Sequence, residues 1–395
     1  MKKVYVAVTN DLATDQRVIK VCNLLSEMDC RVTMIGILKP GSIPFHPAKF
    51  KTKRMRLPFR KGPLFYASYN IRLFLYLLLR KAHIIVSNDL DTLLACRIIS
   101  FLKRIPLVYD SHEYFVGSTE IANRPLVKNI WAFIEGRIFP GLRYIVTVNE
   151  SIATLYEKQY KKRPLVVRNV PPKYKIDEAI TRKHLGLPEN KKIVLMQGGG
   201  INIDRGAEEL ICAMKPQFGL ENVYLLFIGG GDMWENIKQL ANNLGLSHKI
   251  GFLPKMHYNQ MMQYTALCDL GASVDKPVSM NYTYSLPNKL FDYIAAGIPV
   301  LASPVVEVKR IVETYQVGLC LENHDPEHIA SRIKFAFADA HRYEQWKNNA
   351  TIASQSLCWE NEAIPLKKLY SDIIGKDFNP LPTHHTPSAS ICLLR

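Results

Sequence analysis

Pro287-Asn288-Lys289-Leu290-Phe291-Asp292-Tyr293-Ile294-Ala295-Ala296-Gly297-Ile298-Pro299-Val300-Leu301-Ala302-Ser303 reads as one short helix, a glycine stop and one buried strand. Pro287 bars helix before it, and Asn288 is a good N-cap. Leu290, Phe291 and Ile294 supply an apolar face at helical spacing. Gly297 stands where a left-handed C-terminal residue is wanted, and Pro299 stops the helix from continuing. Asp292 follows Asn288 by four residues, so both share a face near the positive end of the helix. Two readings of Asp292 stand. It complements the helix dipole, or it joins Lys289 and the free N–H groups in holding a phosphate and a sugar hydroxyl.

Outward from this stretch the chain alternates strand and helix. Lys3 to Thr9 is a short buried strand ending in Asn10-Asp11, a helix follows from about Asp15 to Met28, and Arg31 to Ile37 is the next strand. Such a βαβ unit implies a parallel sheet. Strands at Ile84–Val86, Pro106–Tyr109, Tyr144–Val148 and Leu165–Val167 each end in polar residues: Asn88-Asp89, Asp110-Ser111-His112-Glu113, Asn149-Glu150 and Arg168-Asn169. Ligands of open α/β sheets bind beyond the carboxyl ends of the strands, so these clusters line one rim. Pro171-Pro172 marks a hinge. The alternation then restarts with Lys192–Gln197 and Val223–Ile228, each followed by three glycines, and continues near Ile250–Phe252, Leu270–Ser273, Ile298–Ala302 and Val317–Leu319. Triplets at 198–200 and 229–231 let a ligand approach the backbone or mark tight turns. Neither is a G-x-G-x-x-G fingerprint, which counts against NAD.

Length and composition agree. At 395 residues, 48% apolar and 22% charged, the chain holds two globular domains. The net charge of +16 calls for an anionic partner. Zinc-ligand spacings, RNP-type aromatics and basic heptads are missing, so nucleic acid is not expected. The eight scattered cysteines read as reduced thiols of a cytoplasmic protein. No run reaches the roughly 18 apolar residues that span a bilayer.

Two Rossmann-like halves, a Pro-rich hinge and a last helix led by Trp359-Glu360 resemble the GT-B glycosyltransferases. The second half is similar to their retaining, metal-independent family 4. Residues 287–303 look like the family's P-N-K-x-x-E-Y-x-A-x-G-x-P-V block, with Asp292 at the glutamate. Residues 198–206 (GGGINIDRG) resemble its phosphate loop, and Asp110-Ser111-His112-Glu113 its donor-sugar segment. There are departures. Tyr284 stands eight positions before Asp292, where the family often has a second glutamate. Gly200 replaces a second basic residue, and Thr9-Asn10-Asp11-Leu12 replaces a glycine-rich loop.

The resemblance implies an acceptor domain over 1–170, a donor domain over 171–355, a crossover helix over 356–375 and a disordered tail over 376–395. It implies a nucleotide-diphosphate sugar held by Gly199, Gly200, Arg205, Gly230, Phe252, Leu253, Asn288, Lys289, Leu290 and Asp292. His112, Arg205 and Lys289 would serve catalysis, and Asn10, Asp11, Asp89, Glu113 and Asn149 would face the acceptor. Transfer of a hexosyl-type sugar with retention to a glycan or lipid-linked acceptor follows, with no cofactor and no metal. Asp89-Leu90-Asp91 matches a metal-binding D-x-D formally, but as a strand-end cluster it is read as structural. His112 alone has an ordinary structural reading beside the functional one, and His384-His385 lacks further ligands for a metal. Two other functions fit the fold: a sugar-nucleotide epimerase and a non-catalytic sugar-nucleotide-binding protein. Residues 65–81, with Arg72, Arg80 and Lys81 among apolar residues, read equally as a buried helix and as one lying on an anionic bilayer. The basic runs at 51–56 and 60–61 favour the inner membrane surface.

Overall fold

Val4 to Val8 are buried, as the centre of a parallel sheet covered on both faces requires. In the computed structural model the described residues are 1–375 apart from 14, 40, 43, 119, 120, 122 and 123. The expected tail, with His384 and His385, lies outside the described residues. The first domain runs β1 (Lys3–Asp11), α1 (Gln16–Glu27), β2 (Arg31–Ile37), β3 (Lys51–Met55), α2 (Pro63–Leu78), β4 (Ile84–Asn88) and α3 (Leu90–Lys103). It continues with β5 (Leu107–Ser111), α4 (Pro125–Ile138), β6 (Tyr144–Thr147), α5 (Glu150–Tyr160) and β7 (Leu165–Val166). Its seven strands are parallel, in the order β3-β2-β1-β4-β5-β6-β7.

The second domain runs β8 (Lys192–Gly198), α6 (Ala207–Ala213), β9 (Val223–Gly229), α7 (Trp234–Asn243), β10 (Ile250–Pro254), α8 (Tyr258–Ala266) and β11 (Leu270–Ser273). Then come α9 (Met280–Thr283), α10 (Asn288–Ala295), β12 (Val300–Ala302), α11 (Val306–Tyr315), β13 (Gly318–Cys320), α12 (Pro326–Ala338) and α13 (Ala340–Ser356). The six parallel strands repeat the first order, β10-β9-β8-β11-β12-β13. The last helix, α14 (Trp359–Ile374), crosses back, and Ala363, Leu366 and Tyr370 join the core beneath α1. Arg168 forms an ion pair with Glu362, and the Trp359 N–H donates to the Pro171 carbonyl at 2.8 Å, so the hinge and α14 are one piece. No disulfide joins the described cysteines, and no described helix is long and apolar enough to cross a membrane.

One local boundary is corrected, and three stretches gain definition. Pro287, not Asn288, holds the cap position of α10, in extended backbone and without a capping side chain. Asn288 is the first helical residue, because the fixed φ of Pro287 suits the residue before the helix. The run Lys51–Met55 is β3, an edge strand whose charges shield the open side of the sheet. Helix α2 is buried along one face only: Tyr69, Leu73 and Leu77 are core, while Leu64, Ile71, Leu75 and Leu78 are exposed. The triplet at 229–231 serves packing. A Cβ on Gly229 would lie 1.9 Å from the Gly198 carbonyl oxygen, at a φ of 142° that only glycine takes readily. Gly229→Ala is therefore expected to cost about 2 kcal/mol or more, read as a lower urea midpoint at unchanged m-value. A midpoint within error of the parent would show that the two strand ends slide apart freely.

Candidate active site

Both sheets reverse strand order at their first strand, between β1 and β4 and between β8 and β11, and crevices open there beyond the carboxyl ends. His112 follows β5 directly. Its Nε2 lies 3.1 Å from Asn88 Oδ1 and 3.7 Å from Asp110 Oδ2, and its Nδ1 lies 3.4 Å from Asp89 Oδ2. The His112 backbone N–H donates to Asp89 Oδ1 at 2.8 Å. Asp89 takes φ 58° and ψ 169°, a strained conformation for a non-glycine residue, and this turns its carboxylate onto His112. Burial lowers the pKa of His112, but Asp89 and Asp110 outweigh it and raise it to about 9. His112 is thus an imidazolium at neutral pH.

Beneath it, Arg17 donates to both oxygens of buried Asp110, at 3.1 and 2.7 Å, and to the Val167 carbonyl at 2.7 Å. Despite burial, Arg17 and His112 hold Asp110 well below the usual carboxylate range. Asp91, in the first turn of α3, is 7% exposed and accepts from the Thr9 hydroxyl, while its Oδ1 has no partner among the described residues. Burial, then Asp89, raises its pKa to about 8.

The second domain supplies the opposite wall. Asp275, just past β11 and 2% exposed, is flanked by Arg205 Nη1 at 3.0 Å and Lys289 Nζ at 3.0 Å. Burial is opposed by Lys289 and then Arg205, and Asp275 stays below its ordinary pKa. The Arg205 guanidinium lies 4.4 Å from the Tyr282 ring centroid. Two cations share one carboxylate, which leaves one positive charge in excess at the wall. A cleft of about 410 Å³ between the domains is lined by Asn10, Arg17, His112, Glu113 and Asn149 on one side and Arg205, Tyr282 and Asn288 on the other. Glu113 accepts from Asn281 Nδ2 at 2.6 Å, and Asn149 Nδ2 donates to the Tyr284 carbonyl at 2.7 Å, so polar bonds hold the cleft at both ends.

The other expected site residues divide. Gly199 and Gly200 are exposed at the end of β8, while Gly230 is buried against Lys255. Phe252 stacks on Phe227 at 5.2 Å, and Leu253 packs at the edge of the core. Leu290 is fully buried, so its side chain faces the core and not the cleft. Asp292 lies behind the cleft wall. Its oxygens accept from Tyr258 at 2.8 Å and Gln197 at 3.2 Å, and burial raises its pKa to about 6. Asp11 pairs with Arg54 of the edge strand at 3.2 Å. Asn149 also caps α5, accepting from the Ile152 N–H. Tyr284 packs against the core of the first domain.

Three residues were missed. Asp275 sits at a strand end, the position that singled out the other polar clusters. Arg17 had a signal too, since a cation in the first turn opposes the helix dipole and needs a partner. Lys20 donates to Asn169 Oδ1 at 2.7 Å and to the Val170 carbonyl at the hinge, and burial lowers its pKa to about 7. Nothing local marked it.

Residues 177–352 match the model of the glycosyl transferases group 1. An uncharacterised glycosyltransferase of Methanocaldococcus jannaschii is 23% identical over 304 residues, covering 68% of this chain and 76% of that protein. The Anabaena protein HepE, solved in complex with UDP and glucose, superposes with a TM-score of 0.71 at 18% identity, over 94% of this chain and all of that one (100%). WaaG, a glycosyltransferase involved in lipopolysaccharide biosynthesis, gives 0.71 at 17% identity over 94% of this chain and 100% of its own. The architecture shared with these structures is the GT-B fold.

Proposed function

We propose that the chain is a glycosyltransferase that moves a hexosyl-type sugar, with retention, from a nucleotide-diphosphate sugar to a glycan or lipid-linked acceptor in envelope polysaccharide or glycolipid synthesis. The observation that carries this reading is the meeting of His112 from one domain with Arg205 and Asn288 from the other across one cleft. The match of residues 177–352 supports it, as do the names of the relative and the two structures. In the reaction the bond from the anomeric carbon to the diphosphate oxygen breaks. The acceptor oxygen bonds that carbon on the same face, and the acceptor proton passes to the departing diphosphate. Arg205, Lys289 and the open first turn of α10 offset the charge that builds on the leaving group, without a metal. The ribose hydroxyls exchange for Tyr258 and Gln197 on Asp292, and His112 reaches a sugar oxygen. Closure of the hinge brings the two walls to the substrate.

The test is a thermal-shift panel of UDP, GDP, ADP, CMP and NAD⁺, with and without EDTA, on the parent and on Arg205→Ala. Ligand at a hundred times its Kd stabilises by about 2.7 kcal/mol. One nucleoside diphosphate is expected to raise the Tm, unaffected by EDTA and largely lost in the variant. Stabilisation by NAD⁺ alone, or by none of the five, would overturn the reading. Formation of an epimeric sugar nucleotide without acceptor would replace it with the epimerase.

A further inference from the structure

A second cavity, of about 860 Å³, meets the cleft at Asn10, His112 and Glu113 and runs outward between α2 and α4. Its walls change character along the way. The inner end holds Asp89, Asp91 and His112, including the unpartnered Asp91 Oδ1. The middle is aromatic and aliphatic: the Trp131 ring lies edge-on to Tyr66 and Phe115, both at 5.2 Å, with Phe65 and Ile134 beside them. Lys39, Arg60, Lys61 and Arg124 stand on the rim, all exposed, and none is in an ion pair among the described residues. The helices that wall the cavity, and α3 beside them, also expose apolar side chains. Ile71 and Leu75 of α2, Ile98 and Phe101 of α3, and Ile130 and Phe133 of α4 are all more than a third exposed, on three helices that pack side by side. Exposed apolar side chains on three neighbouring helices are what a surface that meets lipid carries.

Resting on the transferase reading above, we propose that this cavity is the acceptor subsite and that the acceptor is an anionic amphiphile taken from a bilayer. Its hydrocarbon chain lies against Phe65, Trp131 and Ile134, its phosphate-bearing head meets the rim cations, and its hydroxyl reaches Asp91 and His112. The exposed faces of α2, α3 and α4 rest on the lipid surface, which sets the mouth at the depth where such a head group sits. Aromatic rings alone would also stack on a sugar; the aliphatic Val127, Ile130 and Ile134 beside them and the cations at the rim are what select an anionic amphiphile over a bare glycan. The unpartnered Asp91 Oδ1 suits the inner end, since it can take a hydrogen bond from a hydroxyl.

The test uses the full chain and dodecyl phosphate below its micelle-forming concentration, with inorganic phosphate and dodecyl maltoside as controls, all by titration calorimetry. Each buried methylene strengthens binding roughly fourfold, and each cation near an anionic head contributes a comparable factor. Dodecyl phosphate is therefore expected to bind at least about tenfold more tightly than either control. Arg60→Glu with Lys61→Glu, and separately Ala67→Trp, which fills the exposed wall of the cavity, should each weaken it by about tenfold or more. Stabilisation by the nucleoside diphosphate should stay at the parent value in both variants. Equal binding of the three probes, or dodecyl phosphate binding untouched by both variants, would overturn the subsite. Absence of nucleotide binding in the parent, with dodecyl phosphate binding intact, would overturn the transferase reading and leave the cavity as a site for an anionic amphiphile that is not an acceptor.

Discussion

Asp275→Asn is expected to destabilise the protein by about 3–5 kcal/mol, the cost of leaving buried charge without its partner. Asp275 is the only acidic group between Arg205 and Lys289 recorded among the described residues, and both cations lie within 3.0 Å of its oxygens. Burial already lowers the pKa of Lys289, and Asp275 is what opposes that shift. Without the carboxylate, two cations are left close together, with Lys289 largely out of water. The unfolding transition should therefore fall in urea midpoint with little change in slope. A saturating nucleoside diphosphate should recover more stability in the variant than in the parent, because its phosphates replace the missing anion. Loss of less than about 1 kcal/mol would show that water already screens the pair. Loss without any extra rescue by nucleotide would place the diphosphate elsewhere.

His112→Ala is expected to lower kcat by about 10²–10³-fold, the range for removing one positioned donor from a transition state. Asp110 keeps its bonds to Arg17, so the strand end stays in place and the nucleoside-diphosphate Tm shift should match the parent's. The charge on His112 gives the effect a pH signature. Its pKa rises from the ordinary 6.5 to about 9 on folding, because Asp89 and Asp110 outweigh burial. A raised pKa contributes stability that is fully present below about pH 6.5 and is lost as pH rises through about 9. The stability difference between parent and variant should shrink over that window, and the parent's kcat should fall along the same limb. A variant with kcat within about threefold of the parent would return His112 to a structural role. A flat difference across the window would mean a neutral imidazole.

Much of this was legible in the chain itself. Strand ends at Asn88-Asp89, Asp110-Ser111-His112-Glu113 and Gly198-Gly199-Gly200 did mark the rim, because in parallel sheets every carboxyl end faces the same way. The Gly297 stop was equally local: its φ is 71°, and the Ile298 N–H reaches back to the Tyr293 carbonyl at 3.1 Å, which closes the helix. The helix start was less secure. Asn288 has the side chain of a good cap, but Pro287 takes the extended cap position without a capping bond, which moved the boundary by one residue.

Charge and contact were the illegible part. The basic run at 51–56 looked like a patch for lipid, and pairing with β2 made most of it an edge strand. The apolar surface that could meet a bilayer is spread over α2, α3 and α4, which no single window of sequence brings together. Arg205 and Lys289 were visible as cations, but the carboxylate between them comes from a third segment, and Arg17 finds Asp110 across the sheet. The sequence by itself determined where strands and helices stop and which rim carries the polar residues, because backbone sterics and hydrophobic periodicity act over a few neighbours. Only the tertiary structure decided that burial raises the pKa of Asp91, that Asp89 and Asp110 raise that of His112 and that Leu290 turns away from the cleft. Those properties depend on burial and on charges a few ångströms away, which are brought in from distant parts of the chain.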